Sequence, residues 1–128
     1  MKTVLVTGAS AGFGKAIAFK LAQKDCRVIL TGRRESRLKE ICTEIQHRGF
    51  AEATYLSFDI RDKDAVSSAL NSLKSKWRNI DVLINNAGLA LGKSTIENGE
   101  IDDWEGMMDT NVKGLLYITR ELIPKLKE

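Results

Sequence analysis

Short runs of β-branched or apolar residues alternate along this sequence with longer stretches in which apolar residues recur every three or four positions. This alternation indicates a βαβ series, because strands that alternate with amphipathic helices form a parallel sheet covered by those helices. The predicted strands span residues 3–6, 27–30, 54–58 and 82–84. A helix is predicted after each strand, and the last long helix is predicted to start near Thr110. We therefore expect one α/β domain over residues 1–128.

The composition is typical of a water-soluble globular protein. Of 128 residues, 43% are hydrophobic and 29% are charged, and 20 basic against 17 acidic side chains leave a net charge of +3. Disorder would require low hydrophobicity with a large net charge, and a membrane span would require about 18 consecutive apolar residues. The basic residues are scattered and do not form a block with interleaved aromatics. We expect neither a membrane nor a nucleic-acid partner.

Cysteine and histidine are too few to suggest a metal site. The chain has two cysteines, Cys26 and Cys42, no Cys-x-x-Cys pair, and His47 as its one histidine. The apolar strand begins almost directly after Met1, which leaves no room for a cleavable leader. Two unpaired thiols suit a reducing compartment, so we predict a cytoplasmic protein without a bound metal.

A glycine-rich turn, TGASAGFG at residues 7–14, lies between the first predicted strand and the first helix. Gly8 suits a tight exit from the strand, Gly12 lets a pyrophosphate approach the backbone, and Gly14 lets the helix lie close to the sheet. Phosphates placed there would meet unpaired N–H groups and the positive end of the helix dipole. The spacing departs from G-x-G-x-x-G, and a merely flexible turn is the alternative. The position at the first strand-to-helix junction favours dinucleotide binding.

The residues after the second strand bear on which dinucleotide fits. An acidic side chain there would accept hydrogen bonds from the 2′-hydroxyl of NAD, but the sequence has Arg33 and Arg34. Guanidinium groups suit a phosphate dianion, because they form forked, charge-assisted hydrogen bonds with it. The sequence therefore favours NADP over NAD. The alternative is that both arginines belong to the solvated face of the second helix.

Polar residues also follow the third and fourth predicted strands. Asp59 and Ile60 end the third strand, and NNAG at 85–88 follows the fourth. Open α/β sheets bind ligands outside the carboxyl ends of their strands. Asp59 is equally compatible with a local helix cap, and the asparagine pair with ordinary turn chemistry.

Taken together, the glycine turn, Asp59, the NNAG segment and Asn111 at these separations resemble the short-chain dehydrogenase/reductase family over the whole chain. Within that family, GLALG at 88–92 and AGFG at 11–14 look like the NADP-dependent 3-hydroxy acid (serine-type) dehydrogenases. The resemblance implies a Rossmann-like parallel sheet in the order 3-2-1-4 with helices on both faces, truncated relative to the full doubly wound fold.

The resemblance also implies roles for individual residues. It assigns the 2′-phosphate to Arg33 and Arg34, and contacts with adenine to Asp59 and Ile60. Asn111 matches the family asparagine that distorts a helix and supports a proton relay. The pyrophosphate, the adenosine ribose and the other ribose contacts fall to Gly8, Ser10, Ala11, Gly12, Phe13, Gly14, Asn86, Ala87 and Gly88.

The catalytic half of the family pattern does not match. The family uses a serine and a Tyr-x-x-x-Lys segment, in which the lysine lowers the pKa of the tyrosine. This sequence has only Tyr55 and Tyr117, and Asp59 and Glu121 stand four residues after them. We expect an amino-terminal portion of an NADP-dependent oxidoreductase that acts on an alcohol or carbonyl substrate, including a 3-hydroxy acid. The chain alone is expected to be inactive, and a non-catalytic NADP-binding or assembly module is the alternative.

The same topology predicts self-association. In the order 3-2-1-4 the fourth strand lacks a neighbour on its far side, and an unpaired edge is a template for association. The last helix carries an unusually broad apolar stripe as well. We expect a homo-oligomer formed through the fourth-strand edge or through the helix at residues 111–126.

Overall fold

Four parallel strands form one sheet in the order β3-β2-β1-β4 in the computed structural model, which describes residues 1–92 and 94–126. The strands are β1 (Thr3–Val6), β2 (Arg27–Gly32), β3 (Ala53–Ser57) and β4 (Val82–Ile84). Val4 of β1 pairs with Val28 on one side and with Val82 on the other, so β1 is central. The predicted strand order is confirmed.

Helices cover both faces of the sheet. They are α1 (Gly12–Gln23), α2 (Glu35–His47), α3 (Lys63–Asn71), α4 (Ile101–Met108) and α5 (Leu115–Leu126). Short 3-10 helices occupy Ser75–Arg78 and Ile96–Asn98, and a π-helix at Asp109–Gly114 joins α4 to α5. The chain is therefore continuously helical from residue 101 to residue 126.

Alternate residues of the central strands enter two different cores. Val4 and Val6 point to one face and pack with α1 and α2, whereas Leu5 points to the other face and packs with α3 and α5. All four residues of β1 are buried. This explains why three consecutive apolar residues follow Thr3 in this strand, as expected for a parallel sheet covered on both sides.

Three strand boundaries, in β2 and β3, and one helix start differ from the sequence prediction. β2 runs two residues further, because Thr31 and Gly32 pair with Leu56 and Ser57 of β3. β3 itself begins and ends one residue earlier than predicted. The last helix starts near Thr110 in the prediction, but α4 and the π-helix continue directly into it. A π-turn adds a residue, which shifts the apolar period and hides this continuity.

The last helix covers the sheet beside β4. Ile118 and Leu122 of α5 are buried in the core that contains Leu5. In the part of the chain that the structure describes, β4 pairs with β1 alone, and its other edge has no strand partner. Among the same residues, no helix has both the length and the hydrophobicity to cross a lipid bilayer.

Candidate functional site

A cavity of about 400 Å³ lies at the carboxyl ends of the four strands. Every segment that connects a strand of the sheet to the following element contributes to its wall, as expected for ligand sites of open parallel sheets. The lining residues are Thr7, Gly8, Ser10, Ala11, Gly12, Phe13, Thr31, Gly32, Arg33, Arg34, Phe58, Asp59, Ile60, Asn86, Ala87, Gly88, Leu89 and Thr110.

The structure brings the predicted cofactor-binding residues together around this one cavity, with the exception of Gly14. Gly14 lies beneath the glycine turn and does not line the cavity. Asn111 also lies outside the lining, next to Thr110, which contributes to it.

Close packing explains two of the three glycines of the turn. A Cβ atom on Gly14 would lie 2.1 Å from the carbonyl oxygen of Gly8 and 2.5 Å from Nδ2 of Asn86. Gly8 has a φ of +62°, and a Cβ there would lie 2.9 Å from Cα of Ala87. Both positions therefore exclude a side chain because protein atoms are already in contact. Gly14 was predicted to let the helix lie close to the sheet, whereas in the structure it packs against the Gly8 carbonyl and the Asn86 side chain.

Gly12 differs, because nothing in the structure lies within 4 Å of a Cβ placed there. Its φ is +56°, which favours glycine, and it faces the cavity. The space that a side chain would fill is open at the mouth of the site. Gly12 thus leaves room for a bound group to approach the backbone.

The positive end of α1 meets the cavity without a compensating side chain. Ala11 is the N-cap residue and makes no side-chain cap hydrogen bond, and the first turn contains no acidic residue. The N–H groups of Gly12, Phe13 and Gly14 start this helix and have no carbonyl acceptor within it. Helix termini of this kind attract anions through both the free N–H groups and the dipole.

Polar side chains join the glycine turn to the end of β4. Nδ2 of Asn86 donates to the carbonyl oxygens of Thr7 and Gly8, each at 3.2 Å. Oγ1 of Thr7 accepts hydrogen bonds from the backbone N–H groups of Asn86 (2.9 Å) and Ala87 (2.8 Å). The Asn86 side chain therefore supports the turn from below, while the residue also lines the cavity.

Arg33 and Arg34 precede α2, which begins at Glu35, so they do not belong to the solvated face of that helix. Both are exposed and line the cavity. Oγ of Ser57 donates a hydrogen bond of 3.2 Å to the carbonyl oxygen of Arg33, which fixes this segment against β3. Two guanidinium groups thus stand at the end of β2.

Asp59 is held by Arg61 in a local turn. Nη2 of Arg61 donates to Oδ2 of Asp59 at 2.7 Å, and Nε donates to both carboxylate oxygens at 3.0 and 3.1 Å. The Arg61 hydrogen bond keeps the pKa of the Asp59 carboxyl below its ordinary value, although burial opposes this shift. Asp59 does not cap α3, because Asp62 accepts the capping hydrogen bonds from Asp64 and Ala65.

The π-helix places Asn111 against the end of the NNAG segment. Oδ1 of Asn111 accepts a hydrogen bond of 2.7 Å from the backbone N–H of Leu89, and its Nδ2 donates to the Leu89 carbonyl at 2.9 Å. Gly114 ends the π-helix directly against Ile60, where a Cβ would lie 2.8 Å from Cγ2 of Ile60. The distorted helix therefore packs against two walls of the cavity.

The two tyrosines lie outside the cavity wall. Tyr55 donates a hydrogen bond of 3.3 Å to Oε1 of Glu35, the first residue of α2. Tyr117 packs half-buried against the core beneath α5. Within the described residues, no group of three or more His, Cys, Asp or Glu side chains is arranged to hold a metal ion.

Sequence reasoning missed six residues of the wall. One of them, Gly32, is the last residue of β2, which ends two residues later than predicted. Thr7 and Thr31 are buried residues at strand ends, where a small polar residue after an apolar run is the available signal. Phe58 and Leu89 look like core residues, and Thr110 reaches the cavity only because the π-helix turns it there. No local sequence pattern distinguishes these last three.

Three comparisons with known proteins agree with this geometry. The family model described as short chain dehydrogenase matches residues 2–128. The protein named "NADP-dependent 3-hydroxy acid dehydrogenase YdfG" from Shigella flexneri is 45% identical over 126 residues, which cover 98% of this chain and 49% of that protein. "Serine 3-dehydrogenase" from Agrobacterium fabrum is 44% identical over 124 residues, or 97% of this chain and 48% of that protein.

A solved structure described as the closed form of serine dehydrogenase complexed with NADP+ superposes with a TM-score of 0.91. It is 44% identical in sequence, and the match covers 97% of this chain and 48% of that one. The chain spans about half the length of the curated relatives it matches. Since the family model matches nearly all of its residues, the chain belongs to the short-chain dehydrogenase family.

Proposed function

We propose that the cavity binds NADP(H) and that the chain forms the cofactor-binding part of an oxidoreductase interconverting an alcohol and a carbonyl compound. One observation carries this proposal. The uncapped N-terminus of α1 and the paired Arg33 and Arg34 line the same cavity, so two positive centres are available to two phosphate groups. The relatives named for NADP dependence, and a neighbouring structure that contains NADP+, support this choice.

The residues present fit such a cofactor. The open space at Gly12 and the free N–H groups of α1 suit the pyrophosphate, with Gly8, Ser10, Ala11, Phe13 and Gly14 shaping the turn. Arg33 and Arg34 suit the 2′-phosphate of NADP. They stand at the end of β2, where an acidic side chain would instead favour the 2′-hydroxyl of NAD. NAD lacks that phosphate and would leave both guanidiniums without a partner.

The other wall residues would orient the rest of the cofactor. We assign the adenine to Asp59 and Ile60, and the ribose to Asn86, Ala87 and Gly88. Asn111 would act as a supporting residue, because its side chain fixes the Leu89 backbone at the edge of the cavity.

The chemistry of the bound cofactor is hydride transfer to or from its nicotinamide ring. The described residues bind and orient, but neither Tyr55 nor Tyr117 lines the cavity as a proton donor would. We therefore propose that residues outside this 128-residue chain supply the acid/base group. By similarity to the named relatives, the substrate class is a 3-hydroxy acid.

Calorimetric titration of the chain with NADP and with NAD tests the binding proposal. We expect saturable binding of NADP and clearly weaker binding of NAD. In a separate activity assay, the isolated chain should oxidise 3-hydroxy acids no faster than the background rate. An Arg33→Ala, Arg34→Ala double variant should lose NADP affinity and leave NAD affinity nearly unchanged. Equal weakening of both cofactors would refute the 2′-phosphate assignment, and turnover by the isolated chain would refute the assignment of the acid/base group.

We also propose that the chain self-associates, and the helical segment at residues 101–126 supports this. Its outer face carries an apolar stripe whose exposed members lie three, four or seven positions apart. They are Ile101, Trp104, Met108, Val112, Leu116 and Ile123. A face of this kind is unusual on a monomer. Sedimentation equilibrium should show a concentration-dependent mass, and a Leu116→Glu variant should reduce it. A monomer at all concentrations would refute this proposal.

A further inference from the structure

The adenosine end of the cavity contains one carboxylate among three guanidinium groups. Asp59, Arg33 and Arg34 line the cavity, and Arg61 stands directly behind Asp59. A carboxylate at this place is unfavourable for a second anion, because like charges repel and because the carboxylate competes for the same guanidiniums.

The structure shows which guanidinium holds this carboxylate. Side-chain nitrogens of Arg61 make three contacts of 2.7 to 3.1 Å with Asp59, and the Arg61 backbone N–H adds a fourth at 3.0 Å. Among the residues described, neither Arg33 nor Arg34 forms an ion pair within 4.0 Å. The carboxylate is thus engaged away from the two arginines.

Arg33 is nevertheless close enough to compete. Its positive charge contributes, after Arg61, to the lowered pKa of the Asp59 carboxyl. The backbone also brings the two segments together, since the N–H of Phe58 donates to the Gly32 carbonyl at 2.9 Å. Without Arg61, Asp59 would still interact with the positive charge of Arg33.

We propose that Arg61 is a positioning residue that sets cofactor specificity: by holding Asp59, it leaves Arg33 and Arg34 available for the 2′-phosphate. This inference rests on the proposed function. It assigns Arg61 no contact with the cofactor, and Arg61 is absent from the cavity wall. Its effect is confined to the 2′-phosphate, so NADP and NAD should respond differently to its removal.

The test compares the dissociation constants of NADP and NAD for the full chain. Arg61→Ala should lower the preference for NADP by roughly fivefold, the effect of one uncompensated charge at about 4 Å in a solvent-exposed site. NAD affinity should change by less than about twofold, because NAD carries no 2′-phosphate. Arg61→Lys should keep most of the preference for NADP, because lysine preserves the positive charge at this position.

A second substitution separates this role from a structural one. In the Arg61→Ala background, Asp59→Asn removes the uncompensated charge, so the preference for NADP should recover. Arg48→Ala is the matched control, since Arg48 pairs with Glu44 on the surface and its loss changes the net charge equally. It should leave the preference unchanged.

The outcomes distinguish this inference from the proposed function. If Arg33→Ala, Arg34→Ala keeps the preference for NADP, the 2′-phosphate site itself is wrong. If that variant loses the preference but Arg61→Ala keeps it, only the role of Arg61 is refuted. A loss in Arg61→Ala that Asp59→Asn does not restore also refutes it. Should Arg61→Ala not fold, Arg61→Gln is read by the same criteria, because it keeps a hydrogen-bond donor without the charge.

Discussion

The side-chain amide of Asn86 donates a hydrogen bond to the carbonyl oxygen of Gly8, with 3.2 Å between the two atoms. This bond joins the end of β4 to the turn after β1 through residues 78 positions apart. The shape of the glycine turn is therefore fixed by the protein itself, before any ligand contributes.

Replacing Asn86 with alanine should destabilise the chain. Two carbonyl oxygens, those of Thr7 and Gly8, would lose their donor in a partly buried place, at a cost of about 1–3 kcal/mol. Urea denaturation followed by circular dichroism measures this change. Asn85→Ala is the control, because Asn85 is exposed and its amide donates to Thr119 of α5 instead of to the glycine turn; losing that exposed hydrogen bond should cost only about 0.5 kcal/mol. Equal losses for the two variants would contradict the supporting role of Asn86.

Gly14→Ala should also destabilise the chain, by about 1–3 kcal/mol. The added Cβ would lie 2.1 Å from a backbone oxygen of Gly8, so the turn or α1 must move. Gly106→Ala in α4 is the matched control, because its Cβ would make ordinary contacts at 3.4 Å or more. That change should be neutral or slightly stabilising, because alanine has a higher helix propensity than glycine. Thermal unfolding of both variants measures the difference. A Gly14→Ala protein as stable as the parent would show that the turn is looser than described.

The Asp59 and Arg61 pair should make stability depend on acid pH. The pKa of Asp59 is lowered in the folded chain, so its contribution is present above the unfolded value of about 3.9 and is lost as the pH falls through the folded value. Both side chains are about one-third exposed, which limits the contribution to roughly 0.5 kcal/mol. The unfolding free energies of the parent and of Asp59→Asn should differ at pH 7 and converge toward pH 3. A difference that does not change with pH would contradict this pairing.

The two cysteines should react at different rates. Burial raises the pKa of the Cys42 thiol to about 11, so little nucleophilic thiolate forms at pH 8. Cys26 is only half-buried. Brief treatment of the native chain with iodoacetamide should modify Cys26 and spare Cys42, as mass spectrometry of the peptides can show. Both thiols should react in urea. Faster native labelling at Cys42 would contradict the packing of α2 against the sheet.

Much of the fold could be predicted from the sequence, because the apolar periods of a parallel α/β protein differ strongly between strands and helices. β1 and β4 were predicted to the residue. The resemblance implied a distorted helix at Asn111, but residue periodicity did not predict the π-helix at Asp109–Gly114, because an inserted helical residue leaves the local composition unchanged. This is also why the start of the last helix was wrong.

The site was only partly accessible to sequence reasoning. Glycine spacing and the arginines after β2 are the sequence signals for the phosphate contacts that we propose, because free N–H groups at a helix start and guanidinium groups both suit anions. Arg61 gave no signal, because its partner is two positions away and only the folded turn brings the groups together. Likewise, Asn86 looks like a turn residue until its amide is seen against Thr7 and Gly8.

We propose that the turn after β1 and the end of β2 bind one phosphorylated dinucleotide together. Titration of the ¹⁵N-labelled chain with NADP, followed by two-dimensional NMR, tests it residue by residue. We expect the largest backbone shifts at Gly12, Phe13, Gly14, Arg33 and Arg34, and NAD should leave the two arginines nearly unmoved. Shifts that cluster elsewhere, or an unchanged spectrum at millimolar NADP, would contradict it.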